Sequence, residues 1–275
     1  MKISSSELAI HTKNLKVLGY TQLRGLFGDT ELTPVRDRLA EVAEEMEGTE
    51  YPEFSNLRSD ENIVFNLQNK DKLFVDLLGD HAIEKLLKAF INDPYYPALP
   101  EDAPNYILGE YVARVSGTSR LRLHIDSWMP APGPRTWMMQ VAIALNDRDE
   151  TDGCTIAVPG SHVRGEYTER EFPETTALPV LAGDVIVWDG RLWHGSAPRT
   201  SHQEAWMLIA TLQRWWVKPR FDMTRSLPRE IYEQLTERQR ALMGYASVPP
   251  ATETEHTNTR RGYNAIEDHR KALFR

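Results

Sequence analysis

The chain has a single cysteine, Cys154, among 275 residues. One thiol excludes a disulfide framework and a cysteine-based zinc site, and it suits a reducing compartment. Long apolar runs are also missing. No stretch of about 18 apolar residues occurs, and the opening MKISSSELAIHTKNLKVLGY lacks the unbroken apolar core of a signal peptide. The expectation is a soluble, cytoplasmic protein. Excess positive charge is lacking too: 32 Lys+Arg stand against 40 Asp+Glu, a net charge of −8. That argues against dedicated binding of nucleic acid or an anionic membrane, both of which favour basic surfaces. No repeat, low-complexity tract or Gly/Ser-rich linker divides the sequence, so residues 1–275 read as a single domain. No feature specifies an oligomeric state.

What is present changes in texture along the chain. The part up to about residue 100 is mostly helical in pattern. Thr33-Pro34 opens VRDRLAEVAEEMEG, where Val35, Leu39, Val42, Ala43 and Met46 recur at helix spacing and Gly48 supplies a stop. Further helices are expected over Lys70–Leu78 and Ala82–Ile91, the second ended by Asn92-Asp93-Pro94. Between about 105 and 218 lie YILGEYVARV, RLRLHID, TWMMQVAIAL, CTIAV, DVIVWD and AWMLIATLQRWW. These are short, rich in β-branched and aromatic residues, and separated by Gly, Pro, Asp and Asn. Evenly spaced short strands predict an antiparallel barrel or jelly roll, a mainly β core with flanking helices, and not a parallel α/β sheet. After Pro219 a helix is expected in LPREIYEQLTERQRALMGY, and the polar last 25 residues form a surface tail.

Strict alternation marks Arg120-Leu121-Arg122-Leu123-His124-Ile125-Asp126. On a strand, side chains alternate between faces. Leu121, Leu123 and Ile125 then share one face, and Arg120, Arg122, His124 and Asp126 the other. An imidazole and a carboxylate stand side by side, able to grip one metal ion. Seventy residues on (194 − 124), His194 sits just beyond the apolar DVIVWD segment. Two histidines and one carboxylate occupy one face of an octahedral ion and leave positions open, the facial triad of non-haem Fe(II) oxygenases. A bare His-x-Asp is a weak signal; its surroundings strengthen it.

Those surroundings resemble the phytanoyl-CoA dioxygenase-like Fe(II)/2-oxoglutarate oxygenases. The likeness runs from NLKVLGYTQLRGLFGDTELTPVRDRL through HID at 124–126, QVAIALNDRDETDGCTIAVPGSH at 140–162 and GDVIVWDGRLWHGSA at 183–197 to the late LPREIYEQLTERQRALMGY. It implies a double-stranded β-helix (jelly roll, cupin-like) with Fe(II) on His124, Asp126 and His194. It also implies 2-oxoglutarate and O2 as cosubstrates, and a small organic molecule, in natural-product or catabolic metabolism, that is hydroxylated by default or else desaturated or cyclised. Halogenating relatives lack the carboxylate that Asp126 supplies, so halogenation is not expected.

One position departs from the family. An arginine that meets the far carboxylate of 2-oxoglutarate usually stands eleven residues past the distal histidine (205 − 194), and here that residue is Ala205. A guanidinium matches a carboxylate with two parallel N–H groups, and a buried carboxylate without a partner is costly. Arg122, one pleat from the metal, is the first substitute by alternation, Arg120 the second and Arg199 the third; Arg214 stands at the far end of its strand. Thr155 and Gln140 are candidate polar neighbours of the cosubstrate. In SWMPAPGPRTW, Trp128, Trp137 and Arg135 are candidates for substrate contact, because a Pro/Gly-rich loop directly after the ligands can form a lip. The remaining residues get plainer readings. His162 shapes the PGSH turn, while His11, His81, His202, His256 and His269 lie at the surface. Asp184 and Asp189 form turns, and Cys154 is a small core hydrophobe. Two rival readings stay open: an iron oxygenase that does not use 2-oxoglutarate, for which Ala205 speaks, and a non-catalytic binding protein on the same fold.

Overall fold

The computed structural model describes residues 3–49, 62–94, 99–100, 103–165 and 174–249. His256, His269 and the expected tail lie outside them. Ten strands form two antiparallel sheets. In chain order they are β1 (Tyr20–Leu23), β2 (Ile63–Phe65), β3 (Tyr106–Arg114), β4 (Leu121–His124), β5 (Met138–Ala144), β6 (Thr155–Ala157), β7 (Thr176–Leu178), β8 (Val185–Asp189), β9 (His194–Ser196) and β10 (Met207–Arg214). The larger sheet runs β1-β8-β5-β10-β3-β2 and the smaller β4-β9-β6-β7. This is the expected jelly-roll architecture, with helices on the outside of the larger sheet.

Alternation along the central strands makes both faces of the larger sheet apolar, as a sheet covered on both sides requires. Val141, Ile143, Val185, Val187, Leu208 and Leu212 point to the helices and pack with Leu15, Val35, Leu39, Ile83 and Leu87. Ala142, Ala144, Ile186, Trp188 and Met207 point the other way and meet Ala157, Leu178 and Val180 of the smaller sheet. Burying a leucine-sized side chain stabilises by roughly 1.5–3 kcal/mol, so the helix-side cluster dominates the stability. The space between the sheets is lined more sparsely, with Ala142 and Ala144 facing Ala157, and it holds the functional residues.

The helices start and stop for local reasons. α1 (Ser5–Leu18) begins at a reciprocal cap between Ser4 and Glu7 and ends at Gly19, whose φ of 84° is left-handed. α2 (Asp29–Glu45) starts a turn earlier than Thr33-Pro34 suggests, because the Glu31 carboxylate accepts the Gly28 N–H at 2.9 Å and caps it. Pro34 then lies inside the helix. α3 (Lys72–Leu77) and α4 (His81–Ile91) fall where expected. The single late helix does not form. A short α5 (Met223–Ser226) precedes that segment, which is split into α6 (Arg229–Gln234) and α7 (Glu237–Leu242), since Leu235 is extended and Thr236 with Gln239 makes a fresh capping box. No described helix is long and apolar enough to cross a membrane.

Candidate metal centre

β4 and β9 are neighbours in the smaller sheet, and His124 pairs directly with His194. Asp126 follows just past β4, held by its backbone N–H to the Gly190 carbonyl at 2.8 Å; the Ser127 N–H shares that carbonyl at 2.9 Å. The ligand atoms of His124, Asp126 and His194 thereby lie within 4.8 Å of one another, and they are the one such group among the described residues. His124 Nε2 is 3.6 Å from Asp126 Oδ1, and His194 Nε2 is 3.4 Å from Asp126 Oδ2.

The hydrogen bonds on the other ring nitrogens decide what this cluster can hold. His124 Nδ1 is 3.0 Å from the Arg122 carbonyl, and His194 Nδ1 is 2.9 Å from the Leu192 carbonyl. A carbonyl only accepts, so each Nδ1 must carry a proton, and in the neutral ring each Nε2 turns its lone pair toward Asp126. That is the arrangement by which proteins orient imidazoles for metal ligation. Bonds of about 2.1 Å at right angles set donors about 3 Å apart, so a small contraction fits one divalent ion.

The electrostatics agree. Burial works against ionisation of Asp126, but His194, His124 and the Trp188 indole outweigh it and hold the carboxyl at about 2. Burial, with the charges of His124 and Arg114, pushes His194 down to about 4 despite Asp126. For His124 burial also opposes protonation, yet the hydrogen bond and charge of Asp126 and the Arg122 carbonyl raise it above its ordinary value. Two of the three ligands are thus ready for a cation at neutral pH.

Trp188 supports the cluster from the larger sheet. Its Nε1 donates to Asp126 Oδ2 at 3.1 Å, and its ring lies 5.1 Å from that of His194. A row of polar residues continues across the inner face. Gln140 pairs with Trp188, Thr211 Oγ1 donates to Gln140 Oε1 at 2.9 Å, and Glu110 pairs with Thr211. Burial raises the Glu110 carboxyl, though Arg220 sits 3.0 Å from it, and the charge of Asp126 adds to the rise. Sequence patterning missed Trp188 and Glu110 as site residues. The only sign of Glu110 was a carboxylate in the middle of an apolar strand.

The other candidates are distributed unevenly. Thr155 pairs with Ser196, one step along the smaller sheet from His194. Trp137 is half-buried with the Arg191 guanidinium 6.0 Å from its ring centre, while Arg135 is exposed. Trp128 is 75% exposed at φ 61°, a left-handed conformation costly for a bulky residue. Arg120 and Arg122 are both exposed. The shared face expected for Arg122 and His124 is not found, because a β-bulge between Leu121 and His124 inserts one residue and breaks the period of two. Gly195 lies opposite; a β-carbon there would collide with the Leu121 carbonyl oxygen. Arg214 donates to the carbonyls of Thr136, Phe90 and Asn92, and Arg199 to that of Ser116.

His162 is buried, its Nδ1 close to Gly19, and takes no part in the cluster. His81 and His202 are exposed, whereas His11 is half-buried and bonded to Thr21 at 2.8 Å. Asp189 does more than make a turn. It receives the Arg191 guanidinium at 2.7 Å, with side chains only 1% and 6% exposed, and Arg191 Nη1 reaches the carbonyls of Ala131 and Gly133. This ion pair ties the 127–135 loop to the turn that leads into His194.

Two histidines and a carboxylate converging at neighbouring strands of a jelly roll are the ligand set of facial-triad non-haem iron proteins. A family model for phytanoyl-CoA dioxygenase (PhyH) matches residues 16–205, and the chain belongs to that family. It is 26% identical to Dioxygenase af480 of Aspergillus fumigatus over 196 residues, 67% of this chain; it spans only 59% of that relative's length. Phytanoyl-CoA dioxygenase 1 of Oryza sativa subsp. japonica is 25% identical over 264 residues, covering 78% of this chain and 93% of its own. Among solved structures, HygX from Streptomyces hygroscopicus, with nickel, 2-oxoglutarate and hygromycin B bound, has a TM-score of 0.60. It covers 79% of this chain and 90% of its own at 18% identity, a likeness of fold.

Proposed function

We propose that the protein is a non-haem Fe(II), 2-oxoglutarate-dependent dioxygenase that oxidises a small organic molecule, with His124, Asp126 and His194 as the iron ligands. The observation that carries this reading is the pair of Nδ1–carbonyl hydrogen bonds, which turn both Nε2 atoms toward an ionised Asp126. Bound there, ferrous iron with 2-oxoglutarate and O2 supplies the power to oxidise an unactivated C–H bond. The chain's own part is to orient and to enclose. The carbonyls of Arg122 and Leu192 fix the imidazole rings, the Trp188 N–H holds one carboxylate oxygen, and the indole ring shields His194.

Gln140 and Thr155 belong to the cosubstrate side in this reading, and Trp128, Trp137 and Arg135 to the substrate side. An exposed, strained tryptophan directly after the ligands suits stacking on an organic substrate. HygX, which binds hygromycin B, supports a small molecule over a macromolecule. Hydroxylation is the default outcome, and a cytoplasmic location is in keeping with the lone buried Cys154.

The test is an anaerobic titration of the Fe(II)-loaded protein with 2-oxoglutarate, read through the visible absorption of the chelate. A saturable band, and succinate formed once O2 is admitted, is the expected result. Iron bound without any band at millimolar 2-oxoglutarate would reject it in favour of an oxygenase using O2 alone.

A further inference from the structure

The connection from β5 to β6 buries a positive charge that no described carboxylate meets at ion-pair distance. Arg148, in the connection from β5 to β6, is 6% exposed. Its backbone is locked to Val180 by hydrogen bonds of 2.8 and 3.0 Å. Its Nη2 donates to Ser116 Oγ, its Nε has no hydrogen-bond partner, and no carboxylate lies within ion-pair distance among the described residues. A second guanidinium lies near. Arg114 pairs with Met207, which packs in the cluster between the sheets, so the arginine leaves β3 on that same inner face. Its charge bears on His124, on His194 and on Arg148. Burial first, and Arg114 next, lower Arg148 to about 10. A buried guanidinium crowded by a neighbouring positive charge is unfavourable unless an anion joins it.

The position of this pair is informative. Ala205 is fully buried two residues before Met207, and Ser116 lies two residues after Arg114. Carrying the β3–β10 register that far sets Ala205 beside Ser116, the residue that the Arg148 guanidinium touches. The space that a long side chain at 205 would take is therefore reached by one arriving from 148. Between there and the histidines the surfaces are small or hydroxylated: Ala142, Ala144 and Ala157, with Thr155 paired to Ser196.

We propose that Arg148, backed by Arg114, is the seat for the distal carboxylate of the cosubstrate, which rests on the reading of the site as 2-oxoglutarate-dependent. A five-carbon dicarboxylate held at the triad would lay its far end toward Arg148 and neutralise its buried charge. Arg122, Arg120 and Arg199 have no part in that contact.

The experiment compares two 2-oxo acids on the Fe(II)-loaded protein without O2: 2-oxoglutarate, and 2-oxobutyrate, which keeps the chelating head but lacks the distal carboxylate. Arg148→Gln should weaken 2-oxoglutarate on the order of 30-fold while leaving 2-oxobutyrate within about threefold, as loss of one charge-assisted contact implies. Equal weakening of both acids, or of neither, overturns the assignment. Should Arg148→Gln fail to fold, Arg148→Lys keeps the charge and removes the fork; its expected selective loss is about tenfold, and the same two failures count against it. Wild-type protein that binds iron but neither acid would reject the underlying 2-oxoglutarate reading, and this proposal with it, before any variant is made.

Discussion

Replacing Trp188 by Phe isolates one hydrogen bond at the edge of the metal cluster. The side chain is 4% exposed, donates to Asp126 Oδ2 at 3.1 Å and packs its ring on His194. Phenylalanine keeps much of the apolar contact and removes the N–H. A hydrogen bond to a charged group contributes about 1.5–3 kcal/mol. Because this bond is the smallest of the contacts that hold Asp126 at about 2, its loss should raise that carboxyl by up to about one unit, at about 1.4 kcal/mol per unit. Asp126 then stays ionised at neutral pH, so the cost there comes from a looser ligand, an effect of about 10- to 100-fold on metal affinity. Protonation of the raised Asp126 adds a further loss only in strong acid, below the range where His124 already governs iron binding. Competition for Fe(II) against a chromophoric chelator from pH 4 to 8 measures the effect, with a thermal melt to monitor the fold. Wild-type affinity at every pH would refute the argument and reduce Trp188 to a core residue.

The Asp189–Arg191 pair makes a separate prediction: Asp189→Ala strands a buried guanidinium and should cost about 3–5 kcal/mol of stability, and a loss under about 1 kcal/mol in denaturant unfolding contradicts it. Metal binding should release close to one proton below the raised value of His124 and none well above it, because Asp126 at about 2 and His194 at about 4 are already deprotonated. The sign follows: affinity falls as pH drops through the His124 value. Calorimetry in buffers of different ionisation enthalpy counts the protons, and two at pH 6 would be inconsistent with this arrangement.

Composition made visible the strands that the structure buries on both faces and also β4 and β6, which fall within RLRLHID and CTIAV. β3, β5, β8 and β10 fall within the segments read from the sequence. The short polar ones escaped: β9 is only His194-Gly195-Ser196, and β7 only Thr176-Ala177-Leu178. No propensity identifies three such residues as a strand; their neighbours in the sheet do. His124, Asp126 and His194 could be picked out because spacing and residue type carry the chemistry. Arg122 was misplaced because a bulge leaves no mark in the strand that contains it, and its trace is the glycine across the ladder at 195. Trp188 approaches from the opposite sheet, so its proximity to the centre is a property of register.

The tether of the 127–135 loop carries a consequence for change over time. Arg191 holds it through the carbonyl oxygens of Ala131 and Gly133, and every amino acid has a carbonyl. The anchor therefore places few demands on which side chains the loop displays. Trp128, Met129 and Arg135 can be exchanged while the neighbouring ligands, pinned through Gly190, keep their places. A lineage, or a laboratory library confined to 128–135, can thus search for new molecules to oxidise without rebuilding the centre that oxidises them.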